Sequence, residues 1–346
     1  MSVEPISIAV DVMGGDKAPG AIVEGVGMFL DTYGDEYRLK LVGDQGRVEE
    51  ELKRIGKFED SRLELVHASE VIEMGEHPIS AVRHKRDSSI NVAMNLVRDG
   101  RAGGVFSAGS TGAAVGAAYF RLQMLPGVER PGIAALLPSE KGRFLLLDAG
   151  ANVDCVPMHL LHYAIMGTIY AEKIMKIEHP RVGLMSNGTE EGKGNKLTQG
   201  AFPLLADAAS KGLINFIGNC EGHDLFSGGA DVVVCDGFVG NVILKCSEQL
   251  AKSMGRIVKR SIMSNLKWKI GALMCRGAFT ELKKCTDYSE IGGAPLLGVR
   301  GVVIIGHGIS DAKATCNGIR AAAEAVRHNV NGLIAEQVQS IVLPEA

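Results

Sequence analysis

The sequence predicts a three-layer α/β/α fold built around a mostly parallel β-sheet. Short β-branched or leucine-rich runs alternate with longer amphipathic stretches along the whole chain, the pattern of strand and helix in turn. Such alternation produces parallel sheets covered by helices on both faces. Many of the strand-like runs also end in a polar or glycine-rich loop, and open α/β sheets bind ligands outside the carboxyl ends of their strands.

Taken in order, ISIAVD (6–11) is the first strand and runs into DVMGGD. RLKLVG (38–43) and LELVHA (63–68) alternate apolar with polar residues, as half-buried strands do. A helix is expected over 78–98, then a strand at GGVFSA (103–108) and a helix rich in small residues over 110–124. GIAALL (132–137) and FLLLDA (144–149) are nearly unbroken apolar runs, which suits fully buried strands. Helices at 156–177 and 195–210 flank the strand RVGLMS (181–186). INFIGN (214–219), DVVVCD (231–236), a helix over 239–265, GVVIIG (301–306) and a helix over 311–331 complete the series. No internal repeat, low-complexity tract or Pro/Gly/Ser linker interrupts it, so 1–346 reads as one catalytic domain. The segment 250–285 alone departs from the βα rhythm.

Composition narrows the function. With 346 residues, 46% hydrophobic and 22% charged, the chain can bury a large core. Its formal net charge of −3 lacks the basic excess of a general nucleic-acid binder. The opening MSVEPISIAVDVMGGD has no basic leader region, and its apolar run stops at Asp11, too short for a signal peptide or membrane span. A cytoplasmic protein is expected. The seven cysteines show no CxxC pair and no zinc-ligand spacing with histidine, which points to reduced packing residues and no metal.

Seven strand-end loops are candidates to line one cleft: DVMGGD, SAGSTGA, DAGAN, SNGTEEGKGN, GNCEGHD, CDGFVGN and GHGIS. Glycine and asparagine also serve ordinary strand-to-helix turns, so each loop alone is ambiguous. Gly109, Ser110, Thr111 and Gly112 open a helix whose first N–H groups and hydroxyls suit a phosphate, or supply a plain N-cap. The loop is neither a Walker A motif nor a dinucleotide GxGxxG. In 186–195, Lys193 lies between glycines and can approach a phosphate or an oxyanion as a point charge, with Asn187 as an amide donor. An internal ion pair in a solvated loop is the plainer alternative. Asp11 and Asp16 leave the first strand, and Asp236 and Asn241 leave another; capping or phosphate orientation fits the acids better than metal binding. His307, in GHG, reads equally as a cleft residue or a structural histidine.

The segment 250–285 carries a different signal. Lys252, Arg256, Lys259, Arg260, Lys267, Lys269 and Arg276 occur with no acid between Glu248 and Glu281. Apolar residues from Leu250 to Leu266 fall on one side of the helical wheel and basic ones on the other, and Trp268, Ile270 and Leu273 follow. A basic amphipathic segment with a tryptophan suits an anionic lipid surface or an acidic carrier protein. A buried helix between two copies of the chain explains the same pattern.

Taken together, AVDVMGGD (9–16), SAGSTGA (107–113), LDAGAN (147–152), SNGTEEGKGN (186–195), GNCEGHD (218–224), DVVVCDGFVGNVILK (231–245) and YSEIGGAPLLGVRGVVIIGHG (288–308) resemble the acyl-acyl carrier protein:phosphate acyltransferases of bacterial phospholipid synthesis, the PlsX family. They run in order through nearly the whole chain; Lys17 after MGGD and Ile309 after GHG are peripheral departures. The resemblance implies a fold similar to phosphotransacetylases and isocitrate/isopropylmalate dehydrogenase-like enzymes, a homodimer, and loose attachment to the inner face of the membrane. It implies synthesis of acyl phosphate from acyl-acyl carrier protein and inorganic phosphate, without a cofactor, and delivery of the product to a membrane glycerol-3-phosphate acyltransferase.

Phosphate is the nucleophile in that reaction, so the site needs an anion cradle and oxyanion donors more than a reactive side chain. On residue chemistry, the 107–113 loop and Lys193 are assigned to the cradle, Asn187 or Asn241 to the oxyanion, and Asp236 or His307 to the proton. Cys155 and Cys235 lie near the loops, but a nucleophilic cysteine is disfavoured. Two rival readings fit less well. A decarboxylating hydroxy-acid dehydrogenase of similar fold needs a metal-binding aspartate set and a nucleotide loop that are not apparent, and a lipid-binding scaffold leaves the polar loops unexplained.

Overall fold

A computed structural model describes residues 5–341; residues 1–4 and 342–346, which the 1–346 domain reading includes, lie outside the described residues. The first part of the chain runs β1 (Ile6–Asp11), α1 (Gly20–Thr32), β2 (Tyr37–Gly43), α2 (Gln45–Arg54), β3 (Leu63–His67), α3 (Pro78–His84), α4 (Ser89–Arg98), β4 (Gly104–Ser107) and α5 (Thr111–Ala117), which continues as a π-turn over Ala118–Leu122. The middle runs β5 (Gly132–Ile133), β6 (Ala135–Ser139), β7 (Gly142–Leu147), α6 (Pro157–Lys173), β8 (Arg181–Met185), α7 (Lys196–Ser210), β9 (Asn215–Cys220), α8 (Gly222–Ser227) and β10 (Val232–Val234). Three helices follow, α9 (Gly237–Met263), α10 (Leu266–Met274) and α11 (Arg276–Thr286), then β11 (Ala294–Leu297), β12 (Val302–Ile305), α12 (Ala312–Arg327) and α13 (Val330–Gln339).

The fold is α/β with parallel pairing dominant, as expected, but its strands are shared between two sheets. One has the order β3-β2-β1-β4-β12-β11-β5 and the other β6-β7-β10-β8-β9. Among the described strands, only β11 with β12, β11 with β5, and β6 with β7 pair antiparallel. Alternation along β1 builds the layers of the first sheet. Ile8 and Val10 belong to one core with Ile22, Val26 and Phe29 of α1 and with Ile319 and Ala322 of α12. Ala9 belongs to another, with Ala93 and Met94 of α4 and Ala113 of α5. Helix α6 is buried on almost every side, from His159 to Ala171, as expected for a helix lodged in a core. Each large apolar side chain fully buried this way stabilises the fold by roughly 1.5–3 kcal/mol.

Four departures from the sequence reading have local causes. The run 132–137 is two strands in different sheets, broken at Ala134, whose N–H donates to the Pro295 carbonyl (2.9 Å). Both halves are apolar and buried, so periodicity does not mark the break. The helix expected over 78–98 divides, and Asn91 Nδ2 donates to the carbonyls of Val82 (2.9 Å) and Lys85 (2.8 Å), satisfying acceptors left open at the end of α3. The last helix stops at Arg327 and a new one starts after Asn329, which is left-handed at φ 49° and is a residue type that tolerates that region. Strand β11 was not anticipated, since APLL is short and contains proline.

Helices α9 to α11 form the least buried part of the molecule. Only Gly237 and Gly240 are buried in α9, and no residue is buried in α10. Among the described residues, no helix is long and apolar enough to cross a membrane.

Candidate functional site

The loops at the carboxyl ends of β4, β7 and β12, with the first turns of α9, enclose a cleft of about 760 Å³. Gly109, Thr111 and Gly112 line it from the start of α5, Gly150 and Ala151 from the loop after β7, and Gly306 to Gly308 from the loop after β12. Asn241, Lys245 and Glu248 line it from α9. Their spacing of four and three residues puts all three on one helix face.

Two buried carboxylates hold these loops in place. Asp11, at the end of β1, accepts a hydrogen bond from the Ser107 hydroxyl at the end of β4 (2.7 Å), and the Ser107 oxygen accepts from the Gly109 N–H (3.2 Å). Burial raises the Asp11 pKa, opposed by hydrogen bonds from Ser89 and Ser107. Gly14 lies so close that a Cβ there would stand 2.7 Å from Asp11 Oδ2 and 2.8 Å from the Gly109 nitrogen. Asp11 therefore acts behind the 107–113 loop, fixing its backbone. Asp16 is exposed, and its N–H donates to the Gly308 carbonyl (2.8 Å), joining the first loop to GHG.

Asp148 is the second and was missed from sequence, although LDAGAN was noted. It is fully buried at the end of β7. Oδ1 accepts from the N–H groups of Ile133 (2.9 Å), Gly150 (3.0 Å) and Ala151 (2.9 Å), and Oδ2 from Asn152 (2.7 Å). Burial raises its pKa and these backbone donors oppose the shift. Ile133 belongs to the seven-stranded sheet and β7 to the five-stranded one, so one side chain ties the two sheets together beside the cleft. A Cβ at Gly240 would overlap the Asp148 carbonyl, so α9 approaches this loop as closely as it does only with glycine there.

Of the candidates read from sequence, the structure brings Gly109, Thr111, Gly112, Asn241 and His307 into the cleft. Ser110 lies beside Asp11 and Ser107 in a small adjoining recess, and its side chain makes no capping hydrogen bond to α5. Asp236 is buried at the N-cap of α9, where it accepts from the Val239 N–H (2.9 Å), the capping alternative weighed for it. Burial lowers the His307 pKa; Lys245 and Lys252 reinforce this, while Glu248 and Asp16 oppose it. Burial thus favours the neutral imidazole.

Asn187 and Lys193 are not part of this lining. They occupy the exposed loop after β8, closed by the Gly194 N–H donating to Asn187 Oδ1 (2.8 Å). Asn195 caps α7 by accepting from the Thr198 N–H (3.0 Å), and Asn219 Nδ2 holds the Glu190 carbonyl (2.8 Å). The cation that does line the cleft is Lys245, 4.0 Å from Glu248. It was legible as the residue one turn beyond Asn241 in GNVILK. His77, at the N-cap of α3, also lines the cleft and carried no sequence signal.

All seven cysteines are free. Burial raises the thiol pKa of both Cys155 and Cys235, which works against a thiolate nucleophile. Among the described residues, no group of three or more His, Cys, Asp or Glu side chains is placed to hold a metal ion.

Arg256, Lys259 and Arg260 of α9 are exposed, as are Leu266, Trp268, Ile270 and Leu273 of α10. Leu266 and Leu273 expose 73% and 70% of their surface.

Known proteins share both this architecture and this sequence. The fold is similar to that of a phosphotransacetylase from Streptococcus pyogenes, with a TM-score of 0.64 at 16% identity over 93% of this chain and 94% of that one. It is also similar to a putative 4-hydroxythreonine-4-phosphate dehydrogenase from Salmonella typhimurium, with a TM-score of 0.50 at 13% identity over 93% of this chain and 99% of that one. A phosphate acyltransferase from Pelotomaculum thermopropionicum is 51% identical over 97% of this chain and 96% of its own length. One from Nitratidesulfovibrio vulgaris strain DP4 is 47% identical over 96% of this chain and 94% of its own. The model of the family described as fatty acid synthesis protein matches residues 6–333. On that match and on the relatives aligned along almost its full length, this chain belongs to the fatty acid synthesis protein family, whose members include these phosphate acyltransferases.

Proposed function

We propose that the chain forms acyl phosphate from acyl-acyl carrier protein and inorganic phosphate, supplying phosphatidic acid synthesis. The observation that carries this reading is the convergence of a helix-start loop, a lysine, an amide and an imidazole on one cleft, from three different segments. Phosphate sits against Gly109, Thr111 and Gly112, with Lys245 as its counter-charge. A phosphate oxygen attacks the thioester carbonyl carbon. The carbonyl oxygen becomes an oxyanion that accepts from the Asn241 amide. The intermediate then collapses, the C–S bond breaks, and the pantetheine thiolate leaves. His307, whose neutral form burial favours, takes the proton from phosphate and returns it to sulfur.

Asp11 and Asp148 hold loops and do no chemistry. Lys193 and Asn187 belong to the proposal as groups reaching toward the carrier-bound donor from the loop after β8. The whole chain acts as one catalytic unit. It works in the cytoplasm as a homodimer, loosely held to an anionic membrane by α9 to α11, and hands its product to a membrane glycerol-3-phosphate acyltransferase. The exposed basic and apolar side chains of these helices support the membrane and dimer readings.

The test is direct. Purified protein with palmitoyl-acyl carrier protein and phosphate yields a product that hydroxylamine traps as the hydroxamate. Formation only from a coenzyme A thioester overturns the donor assignment, and no hydroxamate from either donor overturns the reaction.

A further inference from the structure

The stretch from Met74 to Arg86 presents a surface at the cleft mouth that the chemistry above does not use. His77, at the N-cap of α3, and Pro78 and Ile79, in its first turn, line the cleft together with Met74. Two glycines of α5 seat the helix there. A Cβ at Gly112 would stand 2.8 Å from Pro78 Cγ, and one at Gly116 would stand 3.1 Å from Ile79 Cδ1. From His77 to Arg83 the helix rises about 9 Å, and its far end contributes nothing to the cleft lining.

That far end is basic. Arg83 lies over the Phe120 ring, 4.7 Å from its centroid. Arg121 Nε donates to Asn91 Oδ1 (3.1 Å), and the amide of the same Asn91 closes the end of α3. Arg86 stands exposed just past the helix. Among the described residues, none of these three arginines forms an ion pair. Most of the acids in 69–88 are already engaged: Glu76 by Lys85, Asp87 by Ser69, and Glu70 by the Asp87 N–H. The exposed Glu73 carboxylate is left without such a bond.

We propose that this surface docks the acidic carrier protein of the donor. Arg83, Arg86 and Arg121 meet its carboxylates, while Met74, His77 and Ile79 guide the thioester on its pantetheine chain into the cleft. The inference rests on the acyl-carrier reading above and adds where that partner binds. Charge complementarity selects the occupant. Unpaired guanidinium groups offer forked donors that match carboxylates, and here they form a local patch on a chain whose formal net charge is −3. Placement agrees with it, because α3 joins the patch to the cleft mouth and is seated on the helix whose first turn holds phosphate. The other basic surface, on α9 to α11, suits a different partner. Its Lys267 and Lys269 alternate with exposed Leu266, Trp268 and Ile270, as a lipid surface requires, and neither lysine lines the cleft. A small, charged patch also suits a partner that has to leave after each turnover.

Charge reversal tests this in solution, with palmitoyl-acyl carrier protein as the varied substrate. Arg83→Glu with Arg86→Glu is expected to raise KM about tenfold at low salt, as loss of steering charges does, with kcat kept within about twofold, as loss of uniform binding does. Added salt is expected to raise KM for the wild-type protein and to change the variant little, because exposed charges are screened. The matching reversal on α10, Lys267→Glu with Lys269→Glu, is expected to leave KM unchanged. Wild-type KM in the α3 variant overturns the proposal. So does a rise in KM for the α10 variant alone, which moves the carrier to α9 to α11. A fall in kcat at constant KM also overturns it and makes α3 a part of the cleft wall. Arg83 packs on Phe120, so its replacement can disturb folding. Arg86→Glu alone touches a side chain with no bond in the fold, and an unchanged KM and salt response in that variant overturn the proposal by themselves. Failure of the parent reading looks different, because the wild-type protein then makes no acyl phosphate from the carrier-bound donor at any concentration.

Discussion

The floor of the cleft and the helical arm beside it are built on opposite terms. At the ends of β1 and β7, carboxylates are buried and their oxygens are taken up by backbone and hydroxyl donors. Along α9 to α11, charged and apolar side chains alike stand in solvent, and among the described residues only two glycines of α9 are buried. The hydrogen bonds of the floor hold its loops in one arrangement. The arm keeps its side chains available for contacts made with other molecules. Polar residues near a site thus divide into those that shape it and those that work in it, and burial with satisfied hydrogen bonding tells them apart.

The largest expected effect is at Asp148. Asp148→Ala leaves the N–H groups of Ile133, Gly150, Ala151 and Asn152 without their acceptor, and an orphaned donor costs roughly 1–3 kcal/mol, most where it is as buried as that of Ile133. A loss of at least about 3 kcal/mol in urea unfolding is expected. Wild-type stability would show that the two sheets do not depend on this side chain.

Within the cleft, Lys245→Ala tests which residues work. It is exposed on a helix face, so the protein stays folded, and phosphate-dependent turnover is expected to fall about a hundredfold, as when a charge-stabilising group is removed. Lys193→Ala sharpens the point from outside the lining. A smaller loss of about tenfold, or about 1.4 kcal/mol of barrier, is expected in a folded protein. If Lys193→Ala costs more than Lys245→Ala, the loop after β8 closes over phosphate in the working enzyme and the assignment of the cation reverses. Wild-type rates in the Lys193 variant remove it from the mechanism.

The sequence made the fold class legible because strand and helix periodicities are local. It did not reveal the two sheets, because GIAALL is apolar throughout and sheet membership is decided by Ala134 bonding to Pro295, far away in sequence. The candidate site followed the same rule. Gly109, Thr111, Gly112, Asn241 and His307 stood out because each sits in a strand-end loop or the first helix turn after one. Lys245 was passed over for Lys193 because a lysine between glycines is conspicuous, whereas one inside a helix looks like solvated surface. Asp148 was missed because its burial and its bond to Ile133 appear only once both sheets are assembled.

The arm yields the smallest expected effect on catalysis and the clearest one on location. Leu266, Trp268, Ile270 and Leu273 are exposed on α10, where they can enter a headgroup boundary, and Lys267 and Lys269 lie between them. Each basic residue near an anionic leaflet contributes about 1 kcal/mol. The apolar residues add to this only if the helix lies flat on the surface. Neither contribution alone holds a soluble protein for long, so binding is expected to be reversible, dependent on anionic lipid and weakened by salt, which screens exposed charges. Two copies presented side by side would raise the avidity further. The double substitution Trp268→Glu with Leu273→Glu removes apolar contact and adds repulsion, yet touches no residue that lines the cleft. In vesicle sedimentation it is expected to release the protein, while acyl-phosphate synthesis in solution stays within about twofold of wild type, as surface changes away from a site usually do. Sedimentation like wild type shows that α10 is not the lipid contact. Dissociation into inactive monomers shows that the arm joins two copies, and the contrast drawn here between a fixed floor and an arm left open for other molecules then gives way to a catalytic site completed by its partner.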